Sequence, residues 1–176
     1  MKLKQTTAIL FFLVFSSLYT FAQEEATLVK IGDQVPSFTF ETSPGKTQNI
    51  SEFRGKTVLI TFFATWCGPC RKELPHIQAE LFNKYKNNPN FELLIFGREH
   101  SWAEVNKFKA ENKFTMPFYP DPERKIFSKF AKQSIPRNFL ISPEGKILFS
   151  TIGFEEKNFK SLKKMIDNQL KEGKKE

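Results

Sequence analysis

Two cysteines, Cys67 and Cys70, and two histidines, His76 and His100, are all the thiol and imidazole the 176 residues contain. That is too little for the many-bridged framework that staples small secreted domains. A zinc site needs four ligands, usually Cys or His, and neither histidine has a paired spacing that would complete one. Glycine and proline number 8 and 10, well short of a collagen-like or low-complexity composition. No internal repeat and no linker divides the chain. Gly45-Lys46-Thr47 and Gly55-Lys56-Thr57 end like a phosphate-binding loop, but Phe40 and Ile50 stand where that motif needs its first glycine. Past the first 22 residues nothing is apolar for long enough to cross a bilayer.

What is present begins with a leader. Lys2 and Lys4 precede the apolar run Ala8-Ile9-Leu10-Phe11-Phe12-Leu13-Val14-Phe15, which softens at Ser16-Ser17 and ends in Thr20-Phe21-Ala22 before polar Gln23-Glu24-Glu25. Basic, apolar and small-residue regions in that order are the layout of a secretory signal peptide cut after Ala22. An uncleaved N-terminal membrane anchor is the competing reading. The leader holds no cysteine, which excludes lipoprotein processing. The formal charge is +8; without Lys2 and Lys4 the 27 basic residues become 25 against 19 acidic ones, leaving +6. Much of this charge lies in the last helix and tail, at Lys160, Lys163, Lys164, Lys171, Lys174 and Lys175. No nucleic-acid motif accompanies it, so a solvated helix face is expected rather than a nucleic-acid partner.

The chain is expected to divide into a signal peptide (1–22), a lead-in (23–34), one α/β domain (35–172) and a basic tail (173–176). Residues 37–42 alternate polar and apolar as a half-buried strand does, and 43–46 form a turn. Thr57 to Phe63 is a near-continuous β-branched and aromatic run, suited to a central strand covered on both faces. Leu74, Ile77, Leu81 and Tyr85 follow at helical spacing. A strand is expected over 91–96, closed by Gly97. Ser101 with Glu104 three residues on makes a capping box for a helix carrying Val105 and Phe108. A short helix through Ile126, Phe127 and Phe130 leads to a hairpin of 137–141 and 146–152, turned at 142–145. The chain closes with an amphipathic helix over 154–170. The order βαβα then ββα predicts a mixed central sheet flanked by helices on both faces, with an N-terminal β extension.

The cysteines stand where the buried strand turns into a helix. As a structural staple the pair would gain little, because three residues enclose so small a loop. At a helix N-terminus the dipole and unpaired N–H groups favour an anion, which lowers the pKa of Cys67. Gly68 and Pro69 are expected to shape a tight turn that exposes Cys67 and hides Cys70. The chemistry expected is thiol–disulfide exchange, with attack by Cys67 and resolution by Cys70. His76 and His100 are read as surface residues. Asn49-Ile50-Ser51 is a glycosylation sequon of a kind common by chance.

The stretch Phe62-Phe63-Ala64-Thr65-Trp66-Cys67-Gly68-Pro69-Cys70-Arg71-Lys72-Glu73-Leu74-Pro75 resembles thioredoxin, and more closely the TlpA/ResA-like extracytoplasmic thiol–disulfide oxidoreductases. The resemblance runs from about Val35 to Leu170. It implies a thioredoxin-like fold, with Trp66 packed beside the active site and Pro75 kinking the active-site helix. It also implies a cis bond at Ile135-Pro136, facing the cysteines and receiving substrate. Glu73 matches a glutamate used near the cysteines, and could move a proton to or from Cys70 or be an ordinary solvated carboxylate. Thr61 stands where cytoplasmic thioredoxins carry a buried aspartate, which leaves Glu73 as the substitute proton acceptor. A peroxiredoxin is disfavoured, because Ile60 and Ala64 replace the residues such a cysteine needs before it.

By the same resemblance the catalytic residues are Cys67, Cys70 and Glu73, with Trp66, Gly68, Pro69, Ile135 and Pro136 at the substrate. The partners implied are a protein disulfide (an apocytochrome c or another periplasmic protein) and a membrane thiol carrier as electron donor. No cofactor, metal or nucleic acid is called for, and a periplasmic monomer is expected. Gly-Pro between the cysteines and Ile before Pro136 favour reduction of substrates. The alternatives are a disulfide oxidase or isomerase, and a redox-inert binding module.

Overall fold

The computed structural model describes residues 26–172. The expected leader and basic tail lie outside them. Among the described residues no helix is long and apolar enough to cross a membrane.

The chain opens with an antiparallel hairpin, β1 (Thr39–Ser43) and β2 (Lys46–Asn49). A single 3₁₀ turn, Ile50–Phe53, follows, and Asn49 caps it by accepting the Ser51 N–H at 2.9 Å. The central strand β3 (Thr57–Phe63) buries all 7 of its residues, as a strand covered on both faces must. Next comes α1 (Gly68–His76), which runs on through wide π turns at Ile77–Phe82 and a last turn, α2 (Asn83–Tyr85). Pro75 cannot donate to the Arg71 carbonyl, and the ladder is rebuilt with wider spacing just beyond it.

Strand β4 (Phe91–Arg98) lies parallel to β3 and leads to α3 (Trp102–Glu111). The expected capping box starts α3: Glu104 accepts the Ser101 N–H at 2.7 Å while the Ser101 hydroxyl accepts the Glu104 N–H. Then come β5 (Tyr119–Asp121), α4 (Phe127–Phe130), the hairpin β6 (Arg137–Ile141) and β7 (Ile147–Ile152), and α5 (Glu156–Glu172). The sheet order is β5-β4-β3-β6-β7, with β6 antiparallel to both its neighbours, β3 and β7, and the other pairs parallel.

Alternation along β3 divides the core. Leu59 and Phe63 face α1, α3 and α5, where they meet Leu74, Ile77, Leu81, Val105, Phe108, Phe159 and Ile166. Val58, Ile60 and Phe62 face the other side, where Phe38, Phe40, Phe96, Phe127, Phe130 and Phe139 gather. Phe62 meets Phe127 edge-on at 5.3 Å, and Phe40 meets Phe96 likewise at 5.3 Å. Such ring pairs contribute about 0.5–1.5 kcal/mol each beyond burial. The heavy use of phenylalanine thus serves the core.

Three expectations change. The strand at 119–121 goes unread in the sequence because it has only 3 residues and a central Pro120, tolerated because it lies on the sheet edge. The polar strand β2 has no apolar alternation to betray it. Gly97 does not close β4, which continues to Arg98. A Cβ on Gly97 would meet Val105 Cγ1 at 2.6 Å and His100 Cβ at 3.1 Å, so the glycine allows close approach rather than a turn.

The lead-in is tied to the rest of the molecule. Leu28 N–H donates to Phe130 O at 2.9 Å, and Gly32 N–H donates to Ile147 O at 2.8 Å. Thr27 bridges to Ala131 and Gln34 to Lys146.

Candidate active site

Strand β3 ends at the sheet's C-terminal edge, and the turn after it delivers Cys67 as the N-cap of α1. Pro69 sits in the first turn, where a missing N–H costs nothing. The Cys70 N–H donates to Cys67 Sγ at 3.2 Å, so a free backbone donor of the helix end points at the sulfur. Cys67 and Cys70 form a disulfide, with Cα atoms 5.3 Å apart. Cys70 is fully buried and Cys67 is 5% exposed. Cys67 is therefore the outer sulfur, but less open than the sequence suggests, because Cys70 and the Ile135 carbonyl flank it.

The Ile135-Pro136 bond is cis. It places the Ile135 carbonyl oxygen 3.7 Å from Cys67 Sγ, where a reduced thiol could donate. Pro136 is buried and Ile135 half-buried. Gly68 and Pro69 are exposed, and a Cβ on Gly68 would touch nothing. Its backbone needs no glycine, contrary to the expected tight-turn role; it leaves the ground beside Cys67 open. Trp66 is also less packed than expected. It is 64% exposed, with the Arg98 guanidinium 5.5 Å above its ring.

Glu73 lies three residues beyond Cys70, on the same buried face of α1. It is only 2% exposed, which removes the solvated-carboxylate reading. Its Oε1 accepts from Asn138 Nδ2 at 2.6 Å, while Oε2 is buried with no partner among the described residues. Burial pushes the carboxyl up to about 7, against the opposing pull of the Asn138 hydrogen bond. Thr61, across β3, donates its hydroxyl to Asn138 Oδ1 at 2.8 Å.

His76 is at the surface as expected, paired with Glu80 at 2.9 Å. His100 is not. It is 4% exposed, and its Nε2 accepts the Thr65 N–H at 2.8 Å, holding the turn that carries Trp66 and Cys67. Its Nδ1 lies 3.0 Å from the Glu99 carbonyl, which assigns the proton to Nδ1. The contact is long-range, between the turn after β3 and the turn after β4, and no local pattern signals it. Replacing His100 by Leu strands the Thr65 N–H, and is expected to lower the stability of the oxidised protein by about 1–3 kcal/mol in urea unfolding.

Arg137 is a second residue missed in the sequence. It is fully buried, and burial pulls its guanidinium down to about 10. Nε donates to Gln133 O at 2.9 Å and Ser134 O at 3.2 Å, Nη1 to Thr27 Oγ1 at 2.7 Å, and Nη2 to Ala26 O at 3.2 Å. It thus ties the loop before Pro136 to the lead-in. Among the described residues no three His, Cys, Asp or Glu side chains are placed to hold a metal.

A five-stranded mixed sheet whose central strand feeds a C-x-x-C pair into a helix N-terminus, opposite a cis-proline, defines a thioredoxin-like thiol–disulfide oxidoreductase. The chain belongs to the redoxin family, whose model matches residues 30–166. It is 31% identical over 149 residues to the thiol-disulfide oxidoreductase ResA of Bacillus subtilis, covering 81% of this chain and 80% of that protein. ResA of Bacillus cereus is 31% identical over 137 residues, covering 78% and 77%. Among solved structures, a candidate protein disulfide isomerase from Bacteroides thetaiotaomicron superposes with a TM-score of 0.79 at 39% identity, covering 84% of this chain and 94% of that one. A candidate thiol:disulfide interchange protein, DsbE, from Chlorobium tepidum gives 0.68 at 26% identity, covering 81% and 99%.

Proposed function

We propose that this protein reduces disulfides of protein substrates outside the cytoplasm. Cys67 attacks, Cys70 resolves and Glu73 takes the proton of Cys70. The observation that carries this reading is the asymmetry of the pair: Cys67 lies at the helix N-terminus and faces the Ile135 carbonyl, while Cys70 is sealed behind it near a buried carboxyl. In the reduced enzyme the Cys67 thiolate bonds to one substrate sulfur and expels the other as a thiolate. Cys70 then gives its proton to Glu73, attacks Cys67 Sγ and releases the second substrate thiolate. Two electrons leave the dithiol, and the disulfide seen here remains. The exposed Trp66, Gly68 and Pro69, with Ile135 and Pro136, form the ground on which an extended substrate segment would lie. A membrane thiol carrier would return the enzyme to its dithiol form. The leader motif and the ResA and DsbE relatives support an extracytoplasmic site of action.

The Bacteroides neighbour supports a second reading, a disulfide isomerase. The reduction potential of the chain from Gln23 onward separates the two, read by alkylation of free thiols in thiol–disulfide buffers. A value near the roughly −270 mV of thioredoxin supports the reductase, whereas one near the roughly −120 mV of DsbA reverses the direction.

A further inference from the structure

Glu73 does not face the sheet alone. Thr61 on β3, Asn138 on β6 and Thr151 on β7 are register partners, so their side chains form a polar row across three strands. Thr61 and Asn138 are 0% and 2% exposed, and both are hydrogen-bonded. We propose that Asn138, oriented by Thr61, is a positioning residue that fixes which oxygen of Glu73 carries the proton and the pH at which it is released. The part of this that concerns Cys70 rests on the role proposed above for Glu73.

The orientation follows from donor and acceptor chemistry. The Thr61 hydroxyl donates to the amide oxygen of Asn138 at 2.8 Å, and that leaves the amide NH₂ to turn toward Glu73. One N–H reaches Glu73 Oε1 at 2.6 Å, and the NH₂ also lies 3.4 Å from Thr151 Oγ1. A flipped amide would set oxygen against oxygen once Glu73 is ionised. In the orientation seen, Asn138 donates to Glu73, and Oε1 is the acceptor. Oε2, buried and without a partner among the described residues, is the oxygen left to hold a proton.

The two forces on Glu73 oppose each other. Burial favours the neutral acid and the Asn138 N–H favours the carboxylate. An amide does not titrate, so its pull is constant with pH. Glu155, at the entrance to α5, lines the same small space as Glu73 with Asn158 and Thr151. It is exposed, and it adds no charge inside. Across the row, β3 and β6 present only the uncharged Thr61 and Asn138. On α1 itself Cys70 and His76 lie three residues to either side of Glu73; Cys70 is closed in the disulfide of the oxidised protein, and His76, Arg71 and Lys72 are exposed, His76 pairing with Glu80.

The test uses the oxidised and reduced full chain and the variants E73Q, N138L and T61V. In the oxidised protein the infrared carbonyl band of protonated Glu73 is identified by its loss in E73Q and titrated. Its midpoint is expected to rise by about one pH unit in N138L, because the lost donor served the charged form. In T61V, where the amide loses its anchor, it rises by less. The pH dependence of the reduction potential should bend at a pH that moves with the same variants. An infrared midpoint unmoved in both variants overturns the assignment of Asn138, whatever Glu73 does. Should N138L not fold, T61V alone decides. A midpoint that moves while the potential shows no bend removable by E73Q supports Asn138 and overturns the role of Glu73 at Cys70.

Discussion

Replacing Cys67 by Ser is expected to abolish disulfide exchange, with a loss of roughly a thousandfold or more in rate. A hydroxyl at the helix N-cap can still accept the Cys70 N–H, so the local fold has reason to persist, but it cannot act as a thiolate. Cys70→Ser should behave differently. Cys67 still attacks, no sulfur stands behind it to resolve the intermediate, and a mixed disulfide with the substrate accumulates. The pair of variants is read by turnover of a disulfide-bonded protein and by non-reducing mass analysis. The burial of Cys70 predicts this division of labour, since no substrate disulfide can reach a sulfur with no exposed surface. Equal covalent trapping by both variants would contradict it.

The second large effect is on stability. The Glu73 carboxyl is pushed by burial from 4.5 to about 7 in the folded protein. Between those two pH values the unfolded chain has released the proton and the folded one still holds it. Stability must then fall as pH rises through the window, by about 3 kcal/mol in all from this one group. Below 4.5 both states are protonated and the penalty is absent; above about 7 it is fully present. In Glu73→Gln this contribution to the slope disappears. Urea unfolding of the oxidised proteins from pH 4 to 8 measures it. Asp121, whose carboxyl burial also raises, contributes equally to both proteins and cancels in the difference. Parallel stability curves would contradict the assignment.

Much of this was legible in the sequence where a signal is local. The all-apolar run at β3, the helical spacing of Leu74, Ile77 and Leu81, and the Ser101–Glu104 box each state their own structure within a few residues, and the cysteine motif names its chemistry in four. What stayed hidden depends on chain segments far apart. His100 reads as a surface residue until β4 and the turn after β3 come together and give its Nε2 the Thr65 N–H. Asn138 is an unremarkable polar residue in a strand until its register sets it opposite Thr61 and beneath Glu73. Glu73 matched a pattern, but only burial distinguishes a buried acid from a solvated one. Arg137 would be placed at the surface by its type alone, and it is fully buried.

The guanidinium of Arg137 also has a mechanical meaning. It grips Ala26 and Thr27 on one side and the carbonyls of Gln133 and Ser134 on the other. Leu28 and Ala26 add backbone links to Phe130 and Lys132. Tension applied at Ala26 is therefore carried into Arg137, the first residue of β6, and through its side chain into the segment that ends at the cis-proline. In load-path terms, the loop facing Cys67 and the start of β6 share one anchorage, and residues 26–27 pull on both.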